Sequence, residues 1–91
     1  MLLAQEIHEL TKKLPKEEMY SLSSQLKRSA ISIPSNIAEG HKRGTKDFSR
    51  FLTIAYGSSA ELETQLLLCN KMYKNIDVQK PLTLVVEVEK I

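Results

Sequence analysis

Two long rows of apolar residues, separated by a turn that contains two glycines, leave this chain few possible folds. Before the turn, apolar side chains recur at steps of three and four: Met19, Leu22, Leu26, Ala30, Ile33 and Ile37. After it, the same spacing runs through Phe48, Leu52, Ala55, Ser59, Leu62, Leu66, Cys69 and Tyr73. This period places each row on one face of a helix. Gly40 and Gly44 allow the positive φ that ends a helix and reverses the chain, so the sequence predicts an antiparallel αα-hairpin.

Shorter helices are predicted to flank this hairpin. Residues 2–13 form an amphipathic helix that Pro15 ends, and Lys16 with Glu17 and Glu18 opens the second helix. Pro34 lies inside that helix. Because the apolar period runs through it without a change of phase, we expect a kinked continuous helix and not a break capped by Ser32. The third helix begins at Thr45 or Lys46.

The end of the chain is ambiguous by itself. Residues 82–91 follow a turn over 76–81 and are rich in β-branched side chains, which favour a strand. With no other strand to pair with, an isolated strand has no stable place, so we predict a short fourth helix. The expected fold is an all-α, antiparallel up-and-down four-helix bundle with a shortened fourth helix. At 91 residues, we expect a single domain over residues 1–91.

Four small residues, 57–60, lie in the middle of the third helix. Glycine in a helix interior costs about 1 kcal/mol relative to alanine. We therefore expect a neighbouring helix to approach the backbone closely at Gly57.

A polar row runs beside the apolar rows and predicts paired side chains between the two long helices. Its members on the second helix are Gln25, Arg28, Ser32, Asn36, Glu39 and Arg43, and on the third helix Arg50, Ser58, Glu61 and Gln65. An antiparallel hairpin places Arg28 near Ser58 and Glu61, and Asn36 near Arg50. If Arg28 is partly buried against Glu61, removing one partner costs about 3 kcal/mol because it strands a charge.

Composition narrows the class of protein. No apolar run reaches the roughly 18 residues of a membrane helix, and the start lacks the features of a signal peptide, so we expect a cytoplasmic protein. Cys69 is the sole cysteine and falls on the apolar row, which indicates a core thiol. Neither His8 nor His41 can be placed beside it from spacing, and no metal-ligand or phosphate-loop motif is visible. The sequence predicts no catalytic residue, no metal and no cofactor.

Basic charge is concentrated around the predicted turn. Residues 27–50 contain six basic residues against Glu39 and Asp47, a net charge of +4, although the whole chain carries only +2. The nucleic-acid-binding candidates are Lys27, Lys42, Arg43, Lys46 and Arg50. Side chains at a turn are solvated and can reach phosphates, but nothing in the pattern indicates recognition of a base sequence.

Residues 14–73 resemble a bacterial four-helix-bundle family, the proteins encoded in intervening sequences of large-subunit ribosomal RNA genes and the accessory proteins of diversity-generating retroelements. The matching residues are Ser32, Ile33, Asn36, Ile37, Ala38, Glu39, Gly40, Arg43, Phe51, Ala55, Gly57, Ser58, Glu61, Leu62 and Glu63. The resemblance implies an antiparallel four-helix bundle, assembly into a ring of five with positively charged surfaces, and association with nucleic acid. Members usually have longer first and fourth helices than this chain supplies.

These patterns lead to one expected function and two alternatives. We expect a non-enzymatic homo-oligomer, a pentamer by resemblance, that binds structured RNA through its basic surface. The first alternative is an assembly or accessory scaffold for a protein partner such as a retroelement reverse transcriptase. The weaker alternative is a small helical enzyme that grips an anionic substrate with polar residues of the bundle. Symmetric assembly would concentrate the positive charge and favour a polyanion.

Overall fold

The computed structural model describes residues 2–90, and all regular structure in that range is helical. The helices are α1 (Leu2–Thr11), α2 (Leu22–Arg43), α3 (Thr45–Met72) and α4 (Gln79–Glu89), with a 3₁₀ turn at Lys16–Glu18. Each α-helix packs on its neighbour in chain order, and α4 also contacts α1. The predicted four-helix bundle and its short fourth helix are confirmed, although Ile91 of the predicted last segment lies outside the described residues. No helix among residues 2–90 is both long and apolar enough to cross a membrane.

Two predicted helix limits are wrong. The first helix ends at Thr11, and Lys16–Glu18 forms a 3₁₀ turn instead of opening the second helix. The Glu18 carboxylate accepts hydrogen bonds from the Ser21 hydroxyl, at 2.5 Å, and from the Tyr73 hydroxyl, which ties this turn to the end of α3. These bonds lower the pKa of Glu18, and the bond to Glu18 raises the pKa of Tyr73 to about 12. Met19 consequently leaves the apolar row and is 52% exposed.

The other limits follow from the same rules of helix chemistry. α2 runs through Pro34 as one helix, and α3 begins at Thr45, as predicted. α4 begins before the expected end of the turn and includes Pro81. Proline is tolerated there because the first turn of a helix needs no backbone donor. Within α4, a hydrogen bond with Glu63 raises the pKa of Glu89, so two carboxyl groups face each other where this helix ends against α3.

The α2–α3 hairpin is the most extensive contact of the molecule, and its two glycines have different roles. Gly44 alone links the helices, with a φ of 91°, and its carbonyl accepts a hydrogen bond from the Phe48 amide at 3.0 Å. Gly40 does not reverse the chain as expected. It lies inside α2 and is buried, and a Cβ atom there would be 2.9 Å from Cδ1 of Phe48 and 3.1 Å from Cβ of Phe51. Gly40 therefore permits close packing of the two helices.

Gly57 shows the opposite environment. A Cβ atom at this position would meet nothing within 4 Å, and the residue is exposed. The close helix approach predicted at Gly57 is therefore wrong within this chain. The adjacent Ser58 and Ser59 are buried, and the Ser59 hydroxyl donates to the Ala55 carbonyl at 3.0 Å.

The hydrophobic core lies toward one end of the hairpin. Its fully buried members include Leu26 and Ile33 of α2, Leu62 and Leu66 of α3, and Val85 of α4. α1 and α4 have 10 and 11 residues, whereas α2 and α3 have 22 and 28, so the short helices cover only the amino-terminal part of α2 and the carboxyl-terminal part of α3. Residues 34–54 form the remaining part of the hairpin, which we call the two-helix arm. The molecule is correspondingly elongated, 43 Å along its longest axis.

The polar row connects α2 and α3 at two places. Nη2 of Arg28 lies 3.5 Å from Oε2 of Glu61, and the hydroxyls of Ser32 and Ser58 are 2.7 Å apart. Ser58 therefore pairs with Ser32 and not with Arg28, whose closer hydrogen bond is to Gln25 at 2.6 Å. These bonds hold the register of the hairpin.

The other members of the row either bond to groups of their own helix or have no hydrogen-bond partner within residues 2–90. The Asn36 amide donates to the Ser32 carbonyl at 2.7 Å, and no hydrogen bond joins Asn36 to Arg50 within residues 2–90. Arg43 pairs with Glu39 of its own helix. Oε1 of Gln65 is buried and has no hydrogen-bond partner within residues 2–90.

Substitution of the two helical glycines is expected to have opposite effects. Gly40→Val places side-chain atoms against Phe48 and Phe51 and should lower the free energy of unfolding by about 2 kcal/mol. Gly57→Ala enters open space and removes the entropic cost of glycine, so it should raise that free energy by about 1 kcal/mol. Urea unfolding followed by circular dichroism measures both. Equal stability of the Gly40→Val variant and the parent would show that the close packing is not required.

The Arg28–Glu61 pair is expected to contribute little by itself. The two side chains are 60% and 53% exposed, so the cost of about 3 kcal/mol anticipated for a buried pair does not apply to the chain alone. A double-mutant cycle with Arg28→Met and Glu61→Gln should give a coupling energy below about 1 kcal/mol that decreases in high salt. A salt-independent coupling near the larger value would instead mean that another chain buries the pair.

Candidate nucleic-acid interface

The end of the two-helix arm carries four basic residues on either side of the turn at Gly44. Lys42 and Arg43 end α2, Lys46 and Arg50 lie in the first turns of α3, and all four are exposed. We call these four residues the basic tip. Basic side chains in the last turn of a helix are stabilised by its macrodipole, which explains how α2 tolerates them together.

The two arginines of the basic tip are held by neighbouring groups. Nε of Arg43 donates to Oε1 of Glu39 at 2.8 Å, and this bond lowers the pKa of the Glu39 carboxyl. The guanidinium groups of Arg43 and Arg50 lie 5.5 and 4.4 Å from the centre of the Phe51 ring. Cation–π contacts of this kind order the guanidinium groups without removing their charge.

The two lysines of the basic tip are unpaired. Within residues 2–90, neither Lys42 nor Lys46 forms an ion pair or a side-chain hydrogen bond. The backbone amides in the first turn of α3 also lack a side-chain cap and point out of this end of the arm. The tip therefore presents free donors that can bind phosphate without breaking an existing contact.

Lys27, also predicted to bind nucleic acid, does not lie at the basic tip. It precedes Lys42 by fifteen residues of one continuous helix, which separates the two by about 22 Å along the axis. The net charge of residues 39–50 is therefore only +2, because Lys27 and Arg28 lie elsewhere. Sequence spacing grouped these two with the turn because they are close along the chain.

Lys27 instead joins Lys12 and Lys16 around a groove of about 240 Å³ between the end of α1 and the start of α2. We call this site the lysine groove. Lys12 and Lys16 are functional candidates that the sequence pattern did not indicate. The available signal was the group of three lysines at 12, 13 and 16 on either side of Pro15, in which Lys16 was interpreted only as a helix start.

The groups with catalytic potential are placed where they do not assist one another. Cys69 is buried, and this burial raises the pKa of its thiol, which disfavours the reactive thiolate. His8 is exposed on α1, with Nδ1 3.0 Å from the Ala4 carbonyl oxygen. The His41 ring packs on Phe48, with ring centres 4.7 Å apart. Among residues 2–90, no three potential metal ligands lie together.

Comparisons with known proteins give one informative result. No curated protein matches the sequence. The sequence profile of the family described as 23S rRNA-intervening sequence protein matches residues 1–91. This match covers every element described above, including α1 and α4. The chain therefore belongs to the 23S rRNA-intervening sequence protein family.

Proposed function

We propose that this chain is a non-enzymatic bundle that binds structured nucleic acid, and RNA of the ribosomal intervening-sequence type in particular, through its basic tip. The observation that carries the proposal is the unpaired state of Lys42 and Lys46 at the end of a projecting arm. Their ammonium groups are free to neutralise phosphates, and the family description, which refers to ribosomal RNA, supports RNA as the polyanion.

The chemistry of the tip favours the backbone of the nucleic acid over its bases. Lysine acts on phosphate as a mobile point charge and carries no information about base sequence. Arg43 and Arg50 are already engaged at Glu39 and Phe51. We therefore infer recognition by charge and shape, with similar affinity for unrelated sequences.

Self-association is the second part of the proposal. Ile54, Leu68 and Met72 recur along α3 and are 41%, 47% and 53% exposed. Tyr20, which lines a groove together with Leu68 and Met72, is 91% exposed. Apolar and aromatic side chains arranged in this way are typical of protein interfaces. Five copies, the number that the family resemblance suggests, would bring basic tips with about ten net positive charges into one assembly and so strengthen attraction for a polyanion.

The basic tip is tested by reversing its two free lysines. Lys42→Glu combined with Lys46→Glu should weaken binding to unrelated RNA duplexes alike. The slope of log affinity against log salt concentration should become shallower by about one unit for each phosphate that the variant no longer neutralises. Electrophoretic or fluorescence titration over a range of salt concentrations measures both quantities. The matched control, Lys71→Glu with Lys74→Glu, makes the same charge change at the opposite end of α3 and should bind like the parent.

Unchanged affinity and salt dependence in the Lys42, Lys46 variant would contradict the proposed site. The apolar face of α3 would then favour the scaffold alternative, in which the assembly serves a protein partner such as a retroelement reverse transcriptase.

The oligomer is tested by light scattering. We expect a mass near five times the 10.3 kDa of one chain, and Leu68→Glu with Met72→Glu should reduce it without loss of helix, because both side chains are exposed in the single chain. A monodisperse parent of 10.3 kDa at micromolar concentration would contradict self-association.

A further inference from the structure

We propose that the lysine groove is a second phosphate-binding site, which holds the backbone of the same nucleic acid at the other end of α2. This inference rests on the proposed function, since it extends the contact made by the basic tip.

The charges that line the groove are all positive. Lys12, Lys16 and Lys27 surround it, and no acidic side chain is among its lining residues. Lys16 and Lys27 form no ion pair within residues 2–90. Lys12 lies 3.1 Å from Glu9, but both side chains are more than two thirds exposed, so this pair yields readily to a phosphate.

A neutral donor completes the site. Ser23 lines the groove and is only 6% exposed, and its hydroxyl has no hydrogen-bond partner within residues 2–90. A hydroxyl hydrogen rotates freely toward an acceptor, so it can donate to a phosphate oxygen that the lysines bring in. Ser23 is also the second residue of α2 and lies in its first turn, where the positive end of the helix favours an anion.

Neither Glu17 nor Glu18 lines the groove, and hydrogen bonds from the Ser21 and Tyr73 hydroxyls hold the Glu18 carboxylate outside it.

Leu14, Pro15 and Met19 give the groove an apolar lining. Met19, which the apolar period placed in the core, is half exposed there and can pack against a sugar ring. The positive charges, the neutral hydroxyl donor and the apolar lining together fit a stretch of nucleic-acid backbone.

The separation of the two sites sets the length of ligand that can reach both. Lys27 and Lys42 are about 22 Å apart along α2. At roughly 3.4 Å per nucleotide of a DNA duplex, and less in an A-form RNA duplex, this distance corresponds to at least about six or seven nucleotide steps. A duplex of about 16 base pairs can reach both sites, whereas a single nucleotide or inorganic phosphate can fill only one.

The test compares single charge reversals of equal size. We expect Lys16→Glu and Lys27→Glu each to reduce affinity for an RNA duplex of about 16 base pairs about eightfold at about 0.1 M salt and to lower the salt slope by close to one unit. Lys71→Glu, with the same charge change on the exposed face of α3, should stay within about twofold of the parent, because diffuse charge effects are largely screened at this salt concentration. Ser23→Ala should weaken binding about three- to tenfold with an unchanged slope, because it removes a donor and no charge. Circular dichroism verifies the fold of each variant. If the Lys16→Glu variant is unfolded, Lys16→Gln takes its place.

Each result distinguishes this inference from the proposed function. If the groove variants keep the affinity and salt slope of the parent while the Lys42, Lys46 variant shows a lower affinity and a shallower slope, the result contradicts the second site and supports the basic tip. If only the groove variants lose affinity, the result supports binding at the lysine groove and contradicts binding at the basic tip. If inorganic phosphate shifts the amide resonances of Ser23 and Lys27 while the groove variants bind duplex normally, the groove binds a free anion and the strand proposal is overturned.

Discussion

The close packing of Gly40 against Phe48 and Phe51 sets the geometry from which the other contacts of the hairpin follow. It brings α2 and α3 together just before the turn, where a methyl group would already overlap with both phenylalanines. With the spacing set there and Gly44 alone reversing the chain, the antiparallel register follows. The same register brings Ser32 to Ser58 and Arg28 to Glu61, and it aligns Leu26 and Ile33 with the apolar row of α3.

The unequal lengths of the helices give the molecule its elongated shape. α1 and α4 bury the core residues of one end of the hairpin, and the arm extends beyond them with Ile37, Phe48 and Leu52 only half-buried. Their exposure favours association with another surface, and the same projection leaves the basic tip unobstructed by its own bundle.

The length of α2 also determines how far apart its basic residues lie. Lys27 and Lys42 are fifteen positions apart on α2 and therefore lie in two separate basic clusters, because each helical residue advances about 1.5 Å. Lys27 is thus removed from the tip and grouped with Lys12 and Lys16, which come from a different part of the chain. Phosphates recur along a nucleic-acid strand. Two basic clusters at a fixed distance therefore match an extended polyanion better than one concentrated patch does.

Local periodicity and backbone chemistry were enough to predict the helical class, the hairpin, the continuity of α2 through Pro34 and the reversal at Gly44. The environments of Gly40, Gly57 and Met19 were predicted wrongly, since burial depends on which helix lies opposite. The 3₁₀ turn was not predicted, because Tyr73, which holds it, lies 55 positions from Glu18. Which lysines share a surface was likewise settled by packing between distant segments. Lys12, Lys16 and Lys27 meet because α1 folds back on α2, and that contact leaves no signal in the charge spacing along the chain.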